Sequence, residues 1–510
     1  MQYSVADMLG MSARSRPDAL AATVLATPTT PERSWTFAQV WQRVAGLAAA
    51  IADTPEGRNG RMVATLLPNG LDALLIYPAA MVAGVASVPV NTRLALPEIA
   101  HILSDSGATV VVAAGPLLDT AREVAALLDH DVTVLDLDTV PDDAPLPDPT
   151  GDPAVGQRVG AVFYTSGTTG LPKGATMTND TWLINCFRWG WQLRLGPDDD
   201  MLVPGPLFHM SYCSFALCCW MIGGRVRIMP TFDAAVACDE FAERSTAAFL
   251  VPSMTTMISQ EWERRGRTPL PAMKRMMTAG AAVSPVLLKQ AYDIFPNVEI
   301  SETYGWTEGG FATFELKSPD TVLDGTVGHP TVGCEILVVD EDDQLCAPGQ
   351  RGEILLRTLA CSSGYLNLPE ATAASWTGDL IRSGDIGIMD ADGRLRIVDR
   401  KNGMIITGGE NVYAAEVEQV VAQHPAVLET VVLGKPHEKW GEQIVAVVVA
   451  RPGETVEQDD LRAFCRDHLA DYKIPRAVVV WPEALPRNSM GKLQRFVVEK
   501  SVRDAAVPAG

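Results

Sequence analysis

Basic residues are scarce in this chain. Its 510 residues include 62 Asp and Glu but only 41 Lys and Arg, so the formal net charge is −21 at pH 7. Nucleic acids and anionic membrane surfaces would repel such a chain at long range. We therefore expect neither as a partner, and an anionic small molecule would need local basic residues in its binding site.

Cysteines with the spacing of metal ligands or of disulfide frameworks are also lacking. The nine cysteines are scattered, and the one close pair, Cys218 and Cys219, is adjacent in the chain. Neighbouring cysteines do not readily bridge two separate elements. This usage predicts reduced thiols and a cytoplasmic location.

The sequence also offers no pattern typical of a targeting signal or of a membrane-spanning helix. The first residues lack a basic segment followed by an apolar one, and the last three are not the peroxisomal Ser-Lys-Leu address, so we expect neither form of targeting. Residues 73–90 are uncharged and mostly apolar, but Pro78 and Pro89 lie within them. A buried helix followed by a buried strand explains this run better than a transmembrane helix.

The chain is too long for one hydrophobic core, which favours a large domain plus a smaller one. Helical patterns such as residues 37–51 alternate with short β-branched runs such as 109–113, which is typical of α/β proteins. We predict an N-terminal α/β domain at 1–398, in which helices pack on β-sheets, a hinge at 399–402 and a small α+β domain at 403–510. The elements expected in the small domain are helices 414–423 and 459–469 and strands 430–434, 443–450 and 477–481.

One segment points directly to chemistry. Residues 164–174 read Tyr-Thr-Ser-Gly-Thr-Thr-Gly-Leu-Pro-Lys-Gly and follow an apolar run at 159–163 that is typical of a buried strand. Glycines allow backbone N–H groups to turn toward an anion, hydroxyls add neutral donors, and Lys173 adds a positive charge. The segment predicts a phosphate-binding loop, with a flexible Ser/Thr/Gly connection as the alternative. Its Pro-Lys-Gly order differs from the Gly-Lys-Ser/Thr of the Walker A loop, which argues against a P-loop ATPase.

This loop resembles the signature of the acyl-adenylating, AMP-forming superfamily, which includes acyl-CoA synthetases, the adenylation domains of peptide synthetases and beetle luciferase. Further segments similar to that superfamily's motifs follow in the same order from residue 35 to residue 495. The resemblance is to the fatty-acid and aryl CoA ligase branch. It implies that the small domain is mobile and that the phosphates of ATP are bound by Thr165, Ser166, Gly167, Thr168, Thr169 and Lys173.

A second segment, residues 302–308, reads Glu-Thr-Tyr-Gly-Trp-Thr-Glu and resembles the superfamily's adenine and magnesium motif. A carboxylate suits Mg²⁺, a cation that prefers oxygen ligands. The resemblance implies that Glu308 holds the metal and that Thr307 lies near the α-phosphate. The remaining nucleotide contacts that it implies here are Tyr304, stacked on adenine, with Glu302 and Thr303 beside it. Taken alone, Glu308 would be interpreted as a solvated loop acid.

Three further parts complete the nucleotide site that the resemblance implies. Asp385, in Ser-Gly-Asp, would accept hydrogen bonds from both ribose hydroxyls. Arg400 would be a second ribose or phosphate contact, and Asp399 the position about which the small domain turns. A loop similar to residues 278–282 lies beside adenine in the superfamily, where small residues permit close backbone approach, although the same pattern is typical of tight packing. The small residues concerned are Gly280, Ala281 and Ala282.

Lys492, in Pro-Arg-Asn-Ser-Met-Gly-Lys, matches the superfamily's lysine for the first half-reaction. A lysine on a glycine-containing loop can bridge carboxylate and α-phosphate oxygens and offset their repulsion. An isolated lysine near a C-terminus would instead be interpreted as solvated. Gly408 and Gly409 resemble the loop that lines the pantetheine tunnel. Weaker candidates for contacts with the phosphates of CoA are Lys435, Lys439 and Lys473.

The acyl pocket is implied by the segment around His209 and by the second motif. In the superfamily, an aromatic residue or histidine at the place of His209 gates the route between acyl pocket and thiol tunnel, whereas the residue alone suggests a buried core histidine. Acetyl-CoA synthetases carry Trp where Gly305 stands, so we expect a deeper pocket than acetate needs. The candidate walls are His209, Met210, Tyr212, Cys213, Gly305, Trp306, Gly310 and Phe311. Their apolar character favours an apolar acid of medium length, an aromatic acid or an alicyclic acid, and these segments lack an arginine for a malonate-like substrate.

The resemblance therefore predicts an AMP-forming acyl-CoA ligase that uses Mg²⁺, ATP, CoA and a small carboxylic acid. The acid and ATP would form acyl-AMP, after which the small domain would turn about Asp399 and the thiol of CoA would take the acyl group. The catalytic candidates are Lys492, Thr165, Glu308 and His209. Alternatives are loading of a carrier-protein thiol, a homologue specialised for the thioester half-reaction, a luciferase-like oxygenase and a non-catalytic nucleotide-binding regulator. A homodimer is an open alternative to a monomer.

Overall fold

The computed structural model describes residues 2–54, 62–142, 144–145, 154–165, 172–280, 283, 285–319, 325–400, 403–407, 410–437, 440–466, 468–488, 491 and 493–504. At residues 399, 400, 404, 406, 410, 411, 413, 441 and 504 the description covers the backbone alone. The chain forms two compact units, Met1–Glu335 with Leu356–Ile381, and Ile336–Leu355 with Arg382–Gly510. The hinge at 399–402 stays a prediction.

The fold alternates helices and strands, as predicted for an α/β protein. The helices are α1 (Val5–Ser15), α2 (Phe37–Ala52), α3 (Leu71–Ala83), α4 (Leu96–Ser106), α5 (Leu117–Ala125), α6 (Asn179–Gln192), α7 (Met210–Ile222), α8 (Ala234–Glu243), α9 (Pro252–Arg264), α10 (Pro285–Ile294), α11 (Pro369–Ser375), α12 (Ala414–Val421), α13 (Gln458–Arg466) and α14 (Arg495–Asp504).

Strands occur in both halves of the chain. Those of the first half are β1 (Leu20–Val24), β2 (Arg33–Thr36), β3 (Val63–Leu66), β4 (Ser87–Pro89), β5 (Val110–Ala113), β6 (Thr133–Asp136), β7 (Val159–Thr165), β8 (Lys173–Thr178), β9 (Asp200–Val203), β10 (Arg225–Ile228) and β11 (Ala247–Phe249). Those of the second half are β12 (Arg275–Thr278), β13 (Glu299–Glu302), β14 (Gly305–Trp306), β15 (Gly310–Phe311), β16 (Thr313–Leu316), β17 (His329–Pro330), β18 (Cys334–Val339), β19 (Arg351–Thr358), β20 (Trp376–Thr377), β21 (Leu380–Met389), β22 (Leu395–Arg400), β23 (Met404–Thr407), β24 (Glu410–Tyr413), β25 (Val427–His437), β26 (Gly441–Ala450) and β27 (Ala477–Val480).

Local sequence explains why α2 begins where it does. Thr36 accepts a hydrogen bond from the backbone N–H of Gln39, and the Gln39 side chain accepts one from the N–H of Thr36, so a capping box closes the first turn. Buried residues then recur at helical spacing at Phe37, Val40, Trp41 and Val44. The helix predicted at 37–51 is confirmed.

The apolar run at 73–90 forms α3 and then β4, which confirms a buried helix followed by a buried strand. Leu74, Leu75, Ile76 and Tyr77 are consecutive and fully buried, so the helix has no polar face. Within the described residues, no helix is both long enough and apolar enough to cross a bilayer.

Two large sheets organise the first unit. One has six strands in the order β6-β5-β3-β4-β7-β8 and is parallel except for the β7/β8 pair. The other has nine strands in the order β17-β16-β13-β12-β11-β9-β10-β1-β2, parallel from β13 to β1 and antiparallel at both edges. Helices α8, α9 and α10 pack against the nine-stranded sheet through a core that includes Phe241, Ile258, Leu288 and Phe295.

The second unit contains a sheet in the order β24-β23-β26-β25, with β27 paired to β26. Alternate residues of β26 enter two cores: Ile444 and Ala446 pack with α12 and α13, whereas Val445 and Val447 pack with α14. Strands β25, β26 and β27 and helices α12 and α13 overlap the five elements predicted there, which confirms them. Strands β18, β19, β21 and β20 form another sheet, with β22 paired to β21.

All nine cysteines are free thiols, in agreement with the absence of a disulfide pattern. Cys218 and Cys219 are buried in α7 and form no bond with each other. Burial raises the pKa of the Cys218 thiol to about 12, so this side chain remains protonated and inert at neutral pH.

A buried ion pair joins α8 to β10. Arg227 Nη2 donates to Glu240 Oε1 at 2.8 Å, Ser245 Oγ donates to Glu240 Oε2 at 2.8 Å, and both charged side chains are 8% exposed. Arg227 Nη2 also lies 3.4 Å from Oε2 of the exposed Glu32. Loss of Glu240 would leave the buried guanidinium with this exposed carboxylate alone.

We expect Glu240→Ala to lower the free energy of unfolding by about 3–5 kcal/mol, since Arg227 would stay buried without the only buried carboxylate that the described residues place against it. Glu263→Ala is the control, because Glu263 pairs with Arg267 on the exposed side of α9 and surface pairs contribute about 1 kcal/mol or less. Urea unfolding followed by tryptophan fluorescence measures both. Equal, small losses in the two variants would contradict this account of the pair.

Candidate active site

The nine-stranded sheet brings distant motifs to one edge. Strands β9, β11, β12 and β13 are parallel and in register, so their carboxyl ends lie on the same side of the sheet. His209 follows β9, Gly280 follows β12, and Thr303 follows β13. The fold therefore collects three of the predicted motifs at the edge where α/β sheets bind ligands.

The carboxylate of Glu308 lies in the turn between β14 and β15 and is 7% exposed. Thr165 Oγ1, at the end of β7, donates to Glu308 Oε1 at 3.2 Å. Tyr365 Oη donates to the same oxygen at 2.8 Å. The strand that leads into the predicted phosphate loop is thus bonded directly to the second motif, and the two catalytic candidates Thr165 and Glu308 are in contact.

Tyr365 was missed by the sequence reasoning. Its segment runs beside β8, where Leu366 N–H donates to Gly174 O at 2.8 Å. The Tyr365 ring lies 5.3 Å from Lys173 Nζ. Burial and the charge of Glu308 raise the pKa of Tyr365 far above its ordinary value, so the phenol stays a hydrogen-bond donor. A single tyrosine in a polar turn carries no local signal of this role.

Thr165 and Lys173 are register partners in the β7/β8 pair, so they flank the phosphate loop on adjacent strands. Lys173 Nζ lies on the face of Tyr365. Several predicted site residues lie outside the described residues: Ser166, Gly167, Thr168, Thr169, Ala281, Ala282, Gly408, Gly409, Lys439 and Lys492.

Hydrogen bonds to Thr313, on the neighbouring strand β16, hold the second motif in place. Thr303 Oγ1 donates to Thr313 O at 2.5 Å, and Tyr304 N–H donates to Thr313 Oγ1 at 3.0 Å. The rings of Tyr304 and Trp306 are 5.5 Å apart. Thr307 is partly buried in the turn that carries Glu308. These bonds fix the direction in which the Tyr304 backbone leaves β13.

Glu302, a predicted nucleotide contact, has a structural partner. Lys317 Nζ lies 3.3 Å from Glu302 Oε2 and 2.8 Å from Glu315 Oε2, and the Lys317 side chain is completely buried. It also donates to Thr326 O at 2.6 Å. Glu302 and Glu315 are opposite each other on β13 and β16, so two carboxylates neutralise one buried ammonium. Contact between Glu302 and a nucleotide stays a prediction.

His209 caps the N-terminus of α7. The backbone N–H of Ser211 donates to His209 Nδ1 at 3.3 Å, and Ser211 Oγ lies 2.7 Å from the same nitrogen. Nδ1 is therefore the acceptor, and the neutral ring carries its proton on Nε2. The loop before His209 is fixed by Asn69, whose Oδ1 accepts from Leu207 N–H at 2.8 Å and whose Nδ2 donates to Met229 O at 2.8 Å. Sequence reasoning missed Asn69 because its partners are far away in the chain.

The candidate acyl walls differ in exposure. Met210 is partly buried, whereas Tyr212, Cys213 and Phe311 are in the interior. The Tyr212 ring packs 5.1 Å from that of Phe249. Burial raises the pKa of the Cys213 thiol to about 12, which leaves it an apolar wall at neutral pH.

Two glycines shape the hairpin that carries Glu308. A Cβ atom on Gly305 would lie 2.2 Å from the carbonyl oxygen of Gly310, so no side chain fits at residue 305 without movement of the backbone. Gly310 has a φ of +64°, in the left-handed region that favours glycine. Trp306, the remaining predicted wall, packs its ring against Gly309.

Asp385 is buried on β21 in the second unit, where its register partner is Arg400 on β22. The side chains of Arg400 and Asp399 lie outside the described part of the chain. Ser383 Oγ accepts from Asp385 N–H at 3.0 Å and donates to Ile354 O at 2.8 Å. Of the lysines proposed for CoA, Lys473 pairs with Glu416 at 2.5 Å and Lys435 donates to Val502 O at 3.0 Å.

Comparison with known proteins identifies the family. The family model described as AMP-binding enzyme matches residues 10–366, and that of the AMP-binding enzyme C-terminal domain matches residues 416–492. A long-chain-fatty-acid–CoA ligase of Mycobacterium tuberculosis is 34% identical over 88% of this chain and 89% of its own. A feruloyl-CoA synthase of Amycolatopsis is 33% identical over 91% and 93%.

Solved structures give the same result. The o-succinylbenzoate CoA synthetase of Bacillus subtilis, in complex with its acyl-adenylate intermediate, has a TM-score of 0.84 and 28% identity over 98% of both chains. The resemblance inferred from the motifs is thereby confirmed. The chain belongs to the AMP-binding enzyme family, and within it to the AMP-forming acyl- and aryl-CoA ligases, whose substrates include ATP and CoA.

Proposed function

We propose that this enzyme activates a compact, mainly apolar carboxylic acid as its acyl-AMP and transfers the acyl group to the thiol of CoA. The observation that carries the proposal is the buried carboxylate of Glu308, held by hydroxyls of Thr165 and Tyr365 at the end of the phosphate-loop strand. In the reaction, an oxygen of the acid bonds to the α-phosphorus of ATP and pyrophosphate leaves. The thiol sulfur then bonds to the acyl carbon and AMP leaves.

Charge neutralisation is the main demand of the first step, because one anion attacks another. Lys173 flanks the loop that would hold the β- and γ-phosphates, and Lys492 would bridge the carboxylate and the α-phosphate. Tyr304 would stack on adenine, and Asp385 and Arg400 would bind the ribose. These roles are transferred from the superfamily motifs to matching positions of this chain.

Glu308 and Thr165 offer the oxygen donors that Mg²⁺ prefers. Glu308 Oε1 accepts from two hydroxyls, whereas Oε2 accepts no hydrogen bond from the described residues. No group of three or more His, Cys, Asp or Glu suited to a metal occurs in the described part of the chain, which fits a cation bound mainly through phosphates and water. When bound, Mg²⁺ would neutralise phosphate charge, and the role of Tyr365 is to orient Glu308.

We propose that the acid contains a ring rather than a long straight acyl chain. Behind the candidate wall Phe311, the Trp189 ring packs at 5.8 Å, followed by Phe215 at 4.0 Å from Trp189 and Phe249 at 5.4 Å from Phe215. All four rings are buried. This continuous aromatic series occupies the interior that a long acyl chain would need and offers flat surfaces to a ring.

We further propose that the enzyme works in the cytoplasm. All nine cysteines are free, which suits the reducing conditions of that compartment. Size-exclusion chromatography with light scattering decides between a monomer and the homodimer that the sequence leaves open.

The first test is exchange of labelled pyrophosphate into ATP across aliphatic, aromatic and polycyclic acids. We expect exchange with ring-containing acids and a loss of about 10²–10³-fold in Lys492→Ala, because the attacking oxygens lose their shared cation. Lys500→Ala removes the same charge from the exposed surface of α14 and should leave exchange unchanged. ATP binding without exchange for any acid would contradict the proposed function and favour a nucleotide-binding regulator.

Tyr365→Phe tests whether the Tyr365 hydroxyl orients the Glu308 carboxylate. We expect exchange activity to fall about 10–100-fold, with a higher Mg²⁺ concentration for half-maximal rate, because residues that orient a metal ligand have effects of this size. Tyr292→Phe is the matched control, since Tyr292 is also partly buried and its phenol donates to a backbone carbonyl, Lys317 O, at 2.8 Å, outside the predicted phosphate loop. Identical Mg²⁺ dependence in both variants would show that Tyr365 only packs.

The acceptor is tested after acyl-AMP has formed. We expect CoA to discharge the intermediate at least about tenfold faster than a pantetheinylated carrier protein at equal concentration, that is, with a barrier lower by about 1.4 kcal/mol. Mass spectrometry of the two thioesters measures the ratio. Faster transfer to the carrier protein would assign this chain to carrier loading instead.

A further inference from the structure

One face of α6 carries buried polar atoms that the fold leaves without partners. Asn185, Arg188 and Trp189 are spaced at i, i+3 and i+4, so they lie on the same side of the helix. Asn185 Oδ1, Arg188 Nε, Trp189 Nε1 and, one turn further along the same face, Gln192 Oε1 have no hydrogen-bond partner in the described part of the chain. Asn185, Arg188 and Trp189 are only 3%, 6% and 5% exposed. Buried polar groups are rarely left unpaired, so four on one face require an explanation.

This face adjoins the candidate acyl pocket. A Cβ atom on Gly310 would lie 3.0 Å from Asn185 Oδ1, so the amide stands directly over the hairpin backbone. The Trp189 ring meets the edge of the Phe311 ring at 5.8 Å. Arg188 Nη2 donates to the carbonyl oxygen of Phe311. The three residues thus contact Gly310 and Phe311, which are the proposed inner wall.

The orientation of the Asn185 amide is determined by its neighbour. Its Nδ2 donates to Ala360 O at 3.1 Å. Exchange of the amide oxygen and nitrogen would set two oxygens against each other, so Oδ1 must be the atom that lacks a partner. The face therefore offers the acceptor Asn185 Oδ1 and a neutral donor, the indole N–H of Trp189, with a further acceptor, Gln192 Oε1, one turn along the helix.

Arg188 is a poor partner for a second carboxylate. Its Nη atoms already contact Phe311 O, Cys334 Sγ at 2.9 Å and Thr358 Oγ1 at 3.4 Å. Only Nε is left, so a bidentate grip on a carboxylate cannot form. Burial lowers the pKa of the Arg188 guanidinium, which agrees with a site that lacks a nearby anion.

We propose that Asn185 and Trp189 bind a hydroxyl group of the acyl substrate, remote from its carboxylate, so that this enzyme selects hydroxylated ring acids. A hydroxyl is the group that can both donate to an acceptor such as Asn185 Oδ1 and accept from a donor such as Trp189 Nε1. A keto group or carboxylate could only accept, and an ammonium could only donate. The inference rests on the proposed function, because it needs Gly310 and Phe311 to line the acyl pocket.

The test compares matched acids that differ by one hydroxyl, such as hydroxycinnamic with cinnamic acid and hydroxycyclohexanecarboxylic with cyclohexanecarboxylic acid. For each pair, kcat/KM for pyrophosphate exchange is measured with the wild-type enzyme and with Trp189→Phe, which keeps a ring but lacks the N–H group. Trp191→Phe is the control on the same helix, since Trp191 is 77% exposed. Asn185→Leu is a second test of the acceptor side.

We expect at least one pair in which the wild-type enzyme prefers the hydroxylated acid by about tenfold or more, because a site whose buried polar groups bind a substrate hydroxyl leaves them unpaired with the analogue that lacks it. In Trp189→Phe and Asn185→Leu this preference should fall toward unity, through slower reaction of the hydroxylated acid alone. Trp191→Phe should keep the wild-type ratio. Melting temperatures of all variants identify any that fail to fold, and Trp189→Phe is conservative enough to keep the test decisive.

Two results would overturn the inference and leave the proposed function standing. One is exchange with the parent acids but no preference for a hydroxyl in any pair. The other is an equal loss for both members of each pair in the α6 variants, which would mean that the polar face holds buried water and supports packing. Absence of exchange with every acid would overturn the proposed function as well.

Discussion

The arrangement of the candidate site in the first unit depends on the hydrogen-bonded carboxylate of Glu308. It lies in the turn between β14 and β15, which lie in the chain between β13 and β16 of the nine-stranded sheet, and it accepts from Thr165, which ends β7 of the six-stranded sheet. A buried carboxylate is costly unless it is hydrogen-bonded. Two neutral hydroxyls, from Thr165 and Tyr365, provide that stabilisation and leave the negative charge in place. The site is therefore held together by an anion that remains available to a cation.

The parallel sheet accounts for how distant residues reach that anion. Because the carboxyl ends of β9, β12 and β13 meet at one edge, the residues that follow them converge without long connections. The supporting contacts are of a different kind. Asn69 holds the loop before His209, and Lys317 is neutralised by Glu302 and Glu315 on neighbouring strands. Regular backbone geometry brings the motifs together, and isolated side chains then set their exact direction.

The sequence predicted those parts of the fold that depend on local pattern. Helix α2 has a capping box and a helical stripe of apolar residues, and the run at 73–90 contains prolines that separate α3 from β4. The motifs led to the family because their order is preserved along the chain. Tyr365, Asn69 and the Lys317 cluster could not be predicted, since each depends on partners brought near only by the tertiary fold. The polar side of α6 was missed for the same reason, as its residues look like ordinary core positions until their neighbours are known.

The hairpin around Glu308 makes the proposed acyl pocket easier to enlarge than to narrow. Because the carbonyl of Gly310 occupies the place where a side chain at residue 305 would begin, no single substitution there can fill the pocket without redrawing the hairpin. The aromatic rings of Phe311, Phe215 and Phe249, in contrast, can each be shortened while the backbone stays in place. In the proposed acyl pocket, shortening one of these rings would enlarge the accepted acid in one step, whereas residue 305 offers no such step toward a smaller acid.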